Sequence, residues 1–345
     1  MIRLGIIGTG QISKDFVEAA RLSNRYVVTA VYGRSAESAG KFAADMGIIG
    51  IYTNIDQFCE SDVFDVAYIG TPNSTHFLHA LTVIRHGKHV IVEKPSFSTT
   101  KEWDRIDREA ALKGCLVFEA ARHLHERNFQ LVEEWISEHR HELDGAVLSF
   151  AKYSSKYDSY LAGNRPNIFT TEFAGGAIAD LGVYPLYAAV DWFGIPHDVE
   201  YFVTKLESGV DAIGVAILHY NGFMVTIHVG KNINMTLPSE IYFGRKTLRL
   251  DNISMTQSIE LLENGEVVAN LEDTPAAHYM LGEVSAFADV IENREDELQI
   301  ARYTSWRVLS RQVLYVLKEL RHKGGILFPA DEVENMDSYL KEQGF

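Results

Sequence analysis

Apolar and polar positions along the first third of the chain follow two alternating patterns. Short β-branched runs over 2–7, 26–31, 66–69, 89–92 and 115–118 predict strands, and the stretches 35–46 and 75–86 carry apolar residues at helical spacing. Gly47 and Gly87 sit where those helices would stop. Alternation of this kind predicts a doubly wound parallel sheet, in which ligands bind beyond the carboxyl ends of the strands.

After Arg122 the pattern changes. A helix predicted over 128–138 leads into strands joined by hairpin signals: Asn221-Gly222 separates 216–220 from 223–229, and Asn264-Gly265 separates 259–262 from 267–271. Asn-Gly favours the primed turns of antiparallel hairpins. Helices starting near Gly175, over 281–292 and over 303–320 interrupt or cover this sheet. The expected fold is α/β, with an N-terminal Rossmann domain over 1–121 built on a doubly wound parallel sheet. An α+β domain with a largely antiparallel sheet is expected over 122–345. One face of such a sheet often lacks helical cover, and that face is expected to mediate self-association.

The length of 345 residues accommodates two domains with their own cores. Hydrophobic residues at 46% and charged residues at 23% exclude a disordered or fibrous chain. A net charge of −15 disfavours non-specific binding to nucleic acid or anionic membrane, because the long-range field repels phosphate. Cys59 and Cys115 are too few for a disulfide framework, and no apolar stretch reaches the ~18 residues of a membrane span. With little chain before the first strand to hold a signal peptide, a cytoplasmic location is expected.

Candidate chemistry collects where the parallel strands should end. Gly8-Thr9-Gly10-Gln11-Ile12-Ser13 follows the first strand, and its glycines permit a tight turn and close approach of backbone N–H groups to a pyrophosphate. Ser13 stands where the strict pattern has a third glycine, and is small enough for close packing. Thr71-Pro72-Asn73 and Glu93-Lys94-Pro95 follow later strands, and Glu119 the last. After the second strand the chain reads Gly33-Arg34-Ser35, with no acidic residue for a ribose 2′-hydroxyl; Arg34 and Ser35 suit a 2′-phosphate, so NADP is preferred over NAD. The alternative for Arg34 is a solvated loop arginine. A lysine near a nicotinamide stabilises charge on a substrate oxygen during hydride transfer, which is the role expected of Lys94. Asp180 and Tyr184 are four residues apart and would share a face if helical, with Tyr184 as general acid or base and Asp180 orienting it or the substrate. Pro185 would disturb helical hydrogen bonding just after them. None of the 13 histidines has zinc-ligand spacing, so no metal is expected; His76 and His123 stand out as lying near predicted strand ends.

Gly8 to Ser13, Thr71 to His76, Glu93-Lys94-Pro95, the run Gly175-Gly176-Ala177-Ile178-Ala179-Asp180-Leu181-Gly182-Val183-Tyr184 and the late helix with Glu283 and Phe287 together resemble the Gfo/Idh/MocA family of glucose-fructose oxidoreductase and inositol dehydrogenase relatives. The resemblance spans nearly the whole chain. It implies NAD or NADP held between the two domains, dimers or tetramers formed through the second sheet, and Lys94 near the nicotinamide with Asp180 and Tyr184 completing the polar site. Many inositol dehydrogenase relatives carry histidine at the position of Tyr184, whereas dihydrodiol dehydrogenase relatives carry tyrosine. Thr9, Gln11, Ile12, Thr71, Pro72, Asn73, His76 and Glu93 join the cofactor contacts, and Arg122, His123, Tyr153, Lys156 and Tyr157 are candidates for the substrate pocket. The expected activity is hydride transfer between a nicotinamide cofactor and a secondary alcohol or carbonyl of a sugar, polyol or diol. A cofactor-binding regulator without turnover and an NAD-dependent glycosidase are the alternatives on this scaffold.

Overall fold

Strands β1 (Ile2–Ile7), β2 (Tyr26–Tyr32), β3 (Gly50–Tyr52), β4 (Val66–Ile69), β5 (His89–Glu93) and β6 (Val117–Ala120) form one parallel sheet in the order β3-β2-β1-β4-β5-β6. The structure is a computed structural model and describes residues 1–345. Every residue of β4 and β5 is buried, as a parallel sheet covered on both faces requires. The strand order reverses between β1 and β4, which run parallel, and this switch point opens the ligand crevice at the carboxyl edge. The helix stops read at Gly47 and Gly87 are present, both glycines taking positive φ. Ser35 caps Ala36–Met46 by accepting from the Ser38 amide, and Gly47 ends it at φ +59°. Thr99 and Glu102 form a capping box on Thr100–Lys113, which Gly114 closes at φ +65°. The pattern missed β3 and the helix Ile55–Glu60, both too short to show a period, and also the longer helix Thr100–Lys113.

The chain divides into two compact units: Met1–Ala120, Met280–Val308 and Glu332–Phe345 form one, and Ala121–Tyr279 with Leu309–Asp331 the other. This corrects the expected 122–345 domain, because late segments return to the parallel sheet. The helix Leu281–Glu292 accepts a hydrogen bond from the Tyr26 hydroxyl at Val284 O (3.0 Å), and its Asp289 pairs with Arg25 (2.9 Å). Phe287 packs on Phe118 (4.7 Å), and the Tyr303 hydroxyl accepts from the Val117 amide (3.0 Å), occupying the outer edge of β6. Such burial of an aromatic pair and an edge amide is what an isolated 1–121 segment would forgo.

In the second unit, β7 (Gly145–Ala151), β8 (Asp198–Lys205), β9 (Asp211–His219), β10 (Met224–Gly230), β11 (Ser239–Phe243), β12 (Lys246–Leu250), β13 (Ile259–Glu263) and β14 (Glu266–Asn270) form a sheet in the order β14-β13-β12-β11-β7-β10-β9-β8. Only β7 and β10 run parallel, so the largely antiparallel expectation stands. Asn264 (φ +52°) and Gly265 (φ +88°) make the primed turn between β13 and β14. Asn221-Gly222 does not: Gly222 alone takes positive φ (+92°), and the loop closes on a Tyr220 amide to Phe223 O bond (3.1 Å) with those two rings stacked at 4.9 Å. The helix Val183–Phe193 covers the sheet with ten of its eleven residues buried. Arg321, 1% exposed, lies 3.9 Å over Phe328 and pairs with Asp331 (2.8 Å), folding the 309–331 segment on itself. No helix is long and apolar enough to cross a membrane.

Candidate active site

At the carboxyl edge of the parallel sheet, Gly8 turns the chain with φ +109°, a conformation that strains any side chain. A Cβ there would lie 2.5 Å from Gly70 O, so β1 and β4 approach this closely only because Gly8 has none. Thr9 follows, its methyl lying near Gly33. Gly10 is the N-cap of Gln11–Leu22, in ordinary extended backbone, and makes no side-chain cap; a Cβ on it would meet nothing within 4 Å. An uncapped helix N-terminus with open space over its glycine fits the pyrophosphate of a dinucleotide. Ser13 is fully buried against Gly70, the close helix-strand contact expected of a small residue. Exposed Gln11 hydrogen-bonds Asp15 (2.8 Å), and Ile12 is half-buried.

Arg34 at the end of β2 is exposed and joined to no carboxylate. Ser35 and Ser38 place their hydroxyls 2.9 Å apart beside it. After β4, Thr71, Pro72 and Asn73 form the turn into the helix His76–Arg85, with the Thr75 hydroxyl donating to Thr71 Oγ1 (2.9 Å). His76 is fully buried, with Nε2 2.8 Å from Thr71 O and Nδ1 3.1 Å from Pro95 O. It therefore braces the loops after β4 and β5 from beneath, and burial pushes its pKa below the ordinary imidazole value. Glu93 accepts from the Tyr68 hydroxyl (2.6 Å), a ring itself stacked on Phe16 at 3.9 Å, and from the Lys94 amide (3.2 Å). Lys94 is thus presented, half-buried, from a backbone fixed on both sides; its bond to Pro95 is cis. The Ser96 amide and hydroxyl both donate to Glu119 (3.0 and 2.9 Å), tying the ends of β5 and β6 together.

In the second unit the Asp180 and Tyr184 segment is not one helix. Ala177–Asp180 is a single turn, Gly182 breaks it, and Tyr184 lies in the first turn of Val183–Phe193. Pro185, expected to disturb the helix, falls in that first turn, where its missing N–H has no intrahelical partner to lose. The short turn is set from β9: buried Asp211 accepts from the amides of Ala177 (3.0 Å) and Ile178 (2.7 Å) and from the Tyr201 hydroxyl. Burial pushes the Asp211 carboxyl up, and those donors oppose the shift. Gly176 (φ +115°) leaves room for it, since a Cβ there would sit 2.2 Å from Asp211 Oδ1.

Asp180 itself pairs with Lys231, a buried residue just past β10. Lys231 continues the inward register of Val225, Ile227 and Val229, so strand parity places it on the buried face. Tyr184 packs against Phe150 (5.5 Å) and His123 (5.0 Å), and Arg122 lies over Tyr184 (5.3 Å) and Tyr279 (4.7 Å) while bonding Glu126 (3.2 Å). Burial pushes the Glu126 carboxyl up to about 7, with Arg122 opposing. His123, expected on the pocket wall, is 1% exposed and stands instead behind Tyr184, between Phe129 and Tyr187. Tyr153 donates to Asp158 (2.6 Å) and its ring meets Tyr157 (5.5 Å); Tyr157 in turn meets Phe169 (5.5 Å). Lys156 is exposed at the start of Tyr157–Leu161. The parallel pairing of β7 and β10 brings Tyr153, Lys156 and Tyr157 to the same edge as Lys231.

Residues 2–121 match the family described as an oxidoreductase family with NAD-binding Rossmann fold, and residues 145–249 match the GFO/IDH/MocA C-terminal domain. The chain is 35% identical to the uncharacterized oxidoreductase YgjR of Escherichia coli over 97% of this chain and all of that protein. It is 34% identical to scyllo-inositol 2-dehydrogenase (NADP(+)) IolU of Bacillus subtilis over 96% of this chain and all of that one. Among solved structures, KijD10, a 3-ketoreductase of Actinomadura kijaniata in complex with NADP and TDP-benzene, superposes with a TM-score of 0.80 at 21% identity, covering 93% of this chain and 97% of that one. The open glycine turn at Gly10, the strand order around it and likeness along the full length agree: the chain belongs to the Gfo/Idh/MocA family of NAD(P)-binding oxidoreductases.

Proposed function

We propose that the protein interconverts a secondary alcohol and a carbonyl on a sugar, polyol or diol, with NADP as the preferred cofactor. The observation that carries the redox reading is the uncapped helix terminus at Gly10, open where a pyrophosphate would rest. The substrate class is supported by the full-length relative named for scyllo-inositol, together with a 30% identical trans-1,2-dihydrobenzene-1,2-diol dehydrogenase of Sus scrofa that aligns over 64% of this chain. Gly8, Thr9, Gly10, Gln11 and Ile12 would hold the pyrophosphate; Thr71, Pro72, Asn73 and Glu93 would frame the nicotinamide side. When bound, the nicotinamide supplies the hydride acceptor or donor. Lys94 donates a hydrogen bond to the reacting oxygen and stabilises the charge that grows on it. Tyr184 serves as the general base and acid: its phenolate form accepts the alcohol proton in oxidation, becoming the phenol, and the phenol form donates that proton in reduction. Asp180 orients the substrate, and Arg122, Tyr153, Lys156 and Tyr157 contact its remaining groups.

NADP is supported by the free, exposed guanidinium of Arg34 beside the Ser35 and Ser38 hydroxyls, a donor set for a 2′-phosphate. Fluorescence titration is expected to show tighter binding of NADPH than NADH, and Arg34→Ala is expected to weaken NADPH by about tenfold or more with NADH little changed. Equal losses for both nucleotides would remove Arg34 from the 2′-phosphate site.

We place the protein in the cytoplasm as a homodimer or homotetramer joined through the second sheet. Opposite the face covered by Val183–Phe193, this sheet presents half-buried Ile213, Val215 and Ile217 and 60% exposed Phe202, with Phe202 paired across strands to Val215. Light scattering after size exclusion is expected to show an oligomer, and Val215→Lys is expected to shift it to monomer. A wild-type monomer at micromolar concentration would end this proposal.

A further inference from the structure

The amino edge of the parallel sheet, at the far end of the strands from Gly8, Thr71 and Lys94, holds a cavity of about 550 Å³. Ile2 in β1, Asp65 just before β4 and His89 at the start of β5 line it, together with Arg294 just past the helix Leu281–Glu292. All of these belong to the first unit. His89 has one ring nitrogen committed and one left over. The Leu116 amide donates to Nδ1 (3.0 Å), so the neutral ring carries its proton on Nε2. Burial, reinforced by the nearby Arg294 charge, pushes the His89 pKa down to about 4 and keeps the ring neutral. The residue is only 7% exposed, yet its Nε2–H meets no protein acceptor and is not sealed off, so a group entering the cavity can reach it. A donor this buried is costly until something accepts from it.

The charged side chains of the lining divide into those already paired and those not. Arg3 commits its guanidinium to Asp65 and to Asp62 O, and one oxygen of Glu292 accepts from Arg25 Nε (3.1 Å) and Nη2. Lys88 gives one of its three N–H groups to Phe64 O (3.0 Å) and lies 4.6 Å over the Phe64 ring. The exposed guanidinium of Arg294 has no partner. The acceptors that remain are the Asp62 carboxylate and the second oxygen of Glu292, both on exposed residues where water screens them. We propose that this cavity binds a small oxyanion, the carboxylate or phosphate group of a metabolite, with Arg294 and Lys88 supplying charge and the His89 Nε2–H supplying direction. A guanidinium presents a planar fork that matches the oxygens of either group. The chain as a whole, at −15, repels anions at long range, so a specific anion site on it needs such a local convergence of unpaired donors. The site lies apart from the glycine turn and does not rest on the redox reading.

Calorimetric titration with inorganic phosphate and, separately, succinate tests the site, each with NADPH in excess so that Arg34 is already engaged. Nitrogen-15 NMR of histidine-labelled protein follows the same titrations, with His89→Asn identifying the resonance. At least one anion is expected to bind with a Kd of about 5 mM or tighter and to shift the His89 Nε2 signal. Arg294→Ala is expected to weaken that binding about tenfold or more at unchanged NADPH affinity, and Lys88→Gln by about threefold. Arg294 is exposed and unpaired, so its removal leaves the fold intact. Tighter binding of phosphate would assign a phosphorylated ligand, and tighter binding of succinate a carboxylate. A Kd weaker than about 5 mM for both anions would overturn the proposal, as would binding that Arg294→Ala leaves unchanged. Binding seen only without NADPH would place the anion at Arg34 and overturn it equally.

Discussion

Lys94→Ala is expected to lower kcat by about 10³-fold or more while NADPH affinity stays within about threefold. The side chain leaves a backbone that does not depend on it: Glu93 is held by Tyr68 and by the Lys94 amide, and neither bond involves the ammonium. Removing the ammonium should therefore spare the fold and the dinucleotide cradle. What is lost is a fixed positive donor at the oxygen on which charge develops, an interaction stronger in the transition state than in the ground state. Lys94→Arg should recover little, since a planar guanidinium does not reproduce a compact point charge at one oxygen. Fluorescence titration for affinity and steady-state turnover for kcat separate the two effects. Turnover within tenfold of wild type in Lys94→Ala would sink the assigned role.

Gly10→Ala is expected to cost NADPH affinity about 100-fold or more while melting stays nearly unchanged, and Gly8→Ala to destabilise the protein by about 3 kcal/mol or more. The two glycines lie two residues apart and differ in what a methyl would meet. At Gly10 the backbone is extended and the space is empty, so alanine loses only a favourable N-cap residue, about 0.5–1 kcal/mol. At Gly8 the methyl meets a carbonyl oxygen at 2.5 Å on a backbone with φ +109°, and neither can yield without parting β1 from β4. Calorimetry and nucleotide titration on both variants form the check. A Gly10→Ala protein that binds NADPH normally would show that the pyrophosphate rests elsewhere.

The first sheet was readable because its connections carry local signals: Gly8 after β1, and Gly47 and Gly87 at helix ends, act on backbone within a few residues of themselves. The same locality explains the misses. Nothing near residue 180 announces that its partner is 51 positions away at Lys231, or that Asp211, 34 positions from Ala177, supplies the cap which the short turn lacks. Gly182 keeps helical dihedrals, and the break shows only in the hydrogen bonds, where its amide reaches back five residues to Ala177 O (3.0 Å) and the Tyr184 amide only three, to Leu181 O (3.2 Å). His76 and His123 were legible as unusual but not as buried. Exposure is a property of what packs above a residue, and for His123 that is Phe129, Tyr184 and Tyr187. The assignment of 280–308 failed for a related reason, since an amphipathic helix does not say which sheet its apolar side will meet.

The division of the chain also sets the timing of its maturation. The chain leaves the first unit after Ala120, returns at Met280, leaves after Val308 and returns at Glu332. A ribosome therefore delivers the six parallel strands first and the helix that shields Phe118 and Tyr26 more than 150 residues later. Throughout that interval the nascent protein carries an uncovered apolar face and an open edge at β6. The half of the molecule whose synthesis begins first is the last to be completed.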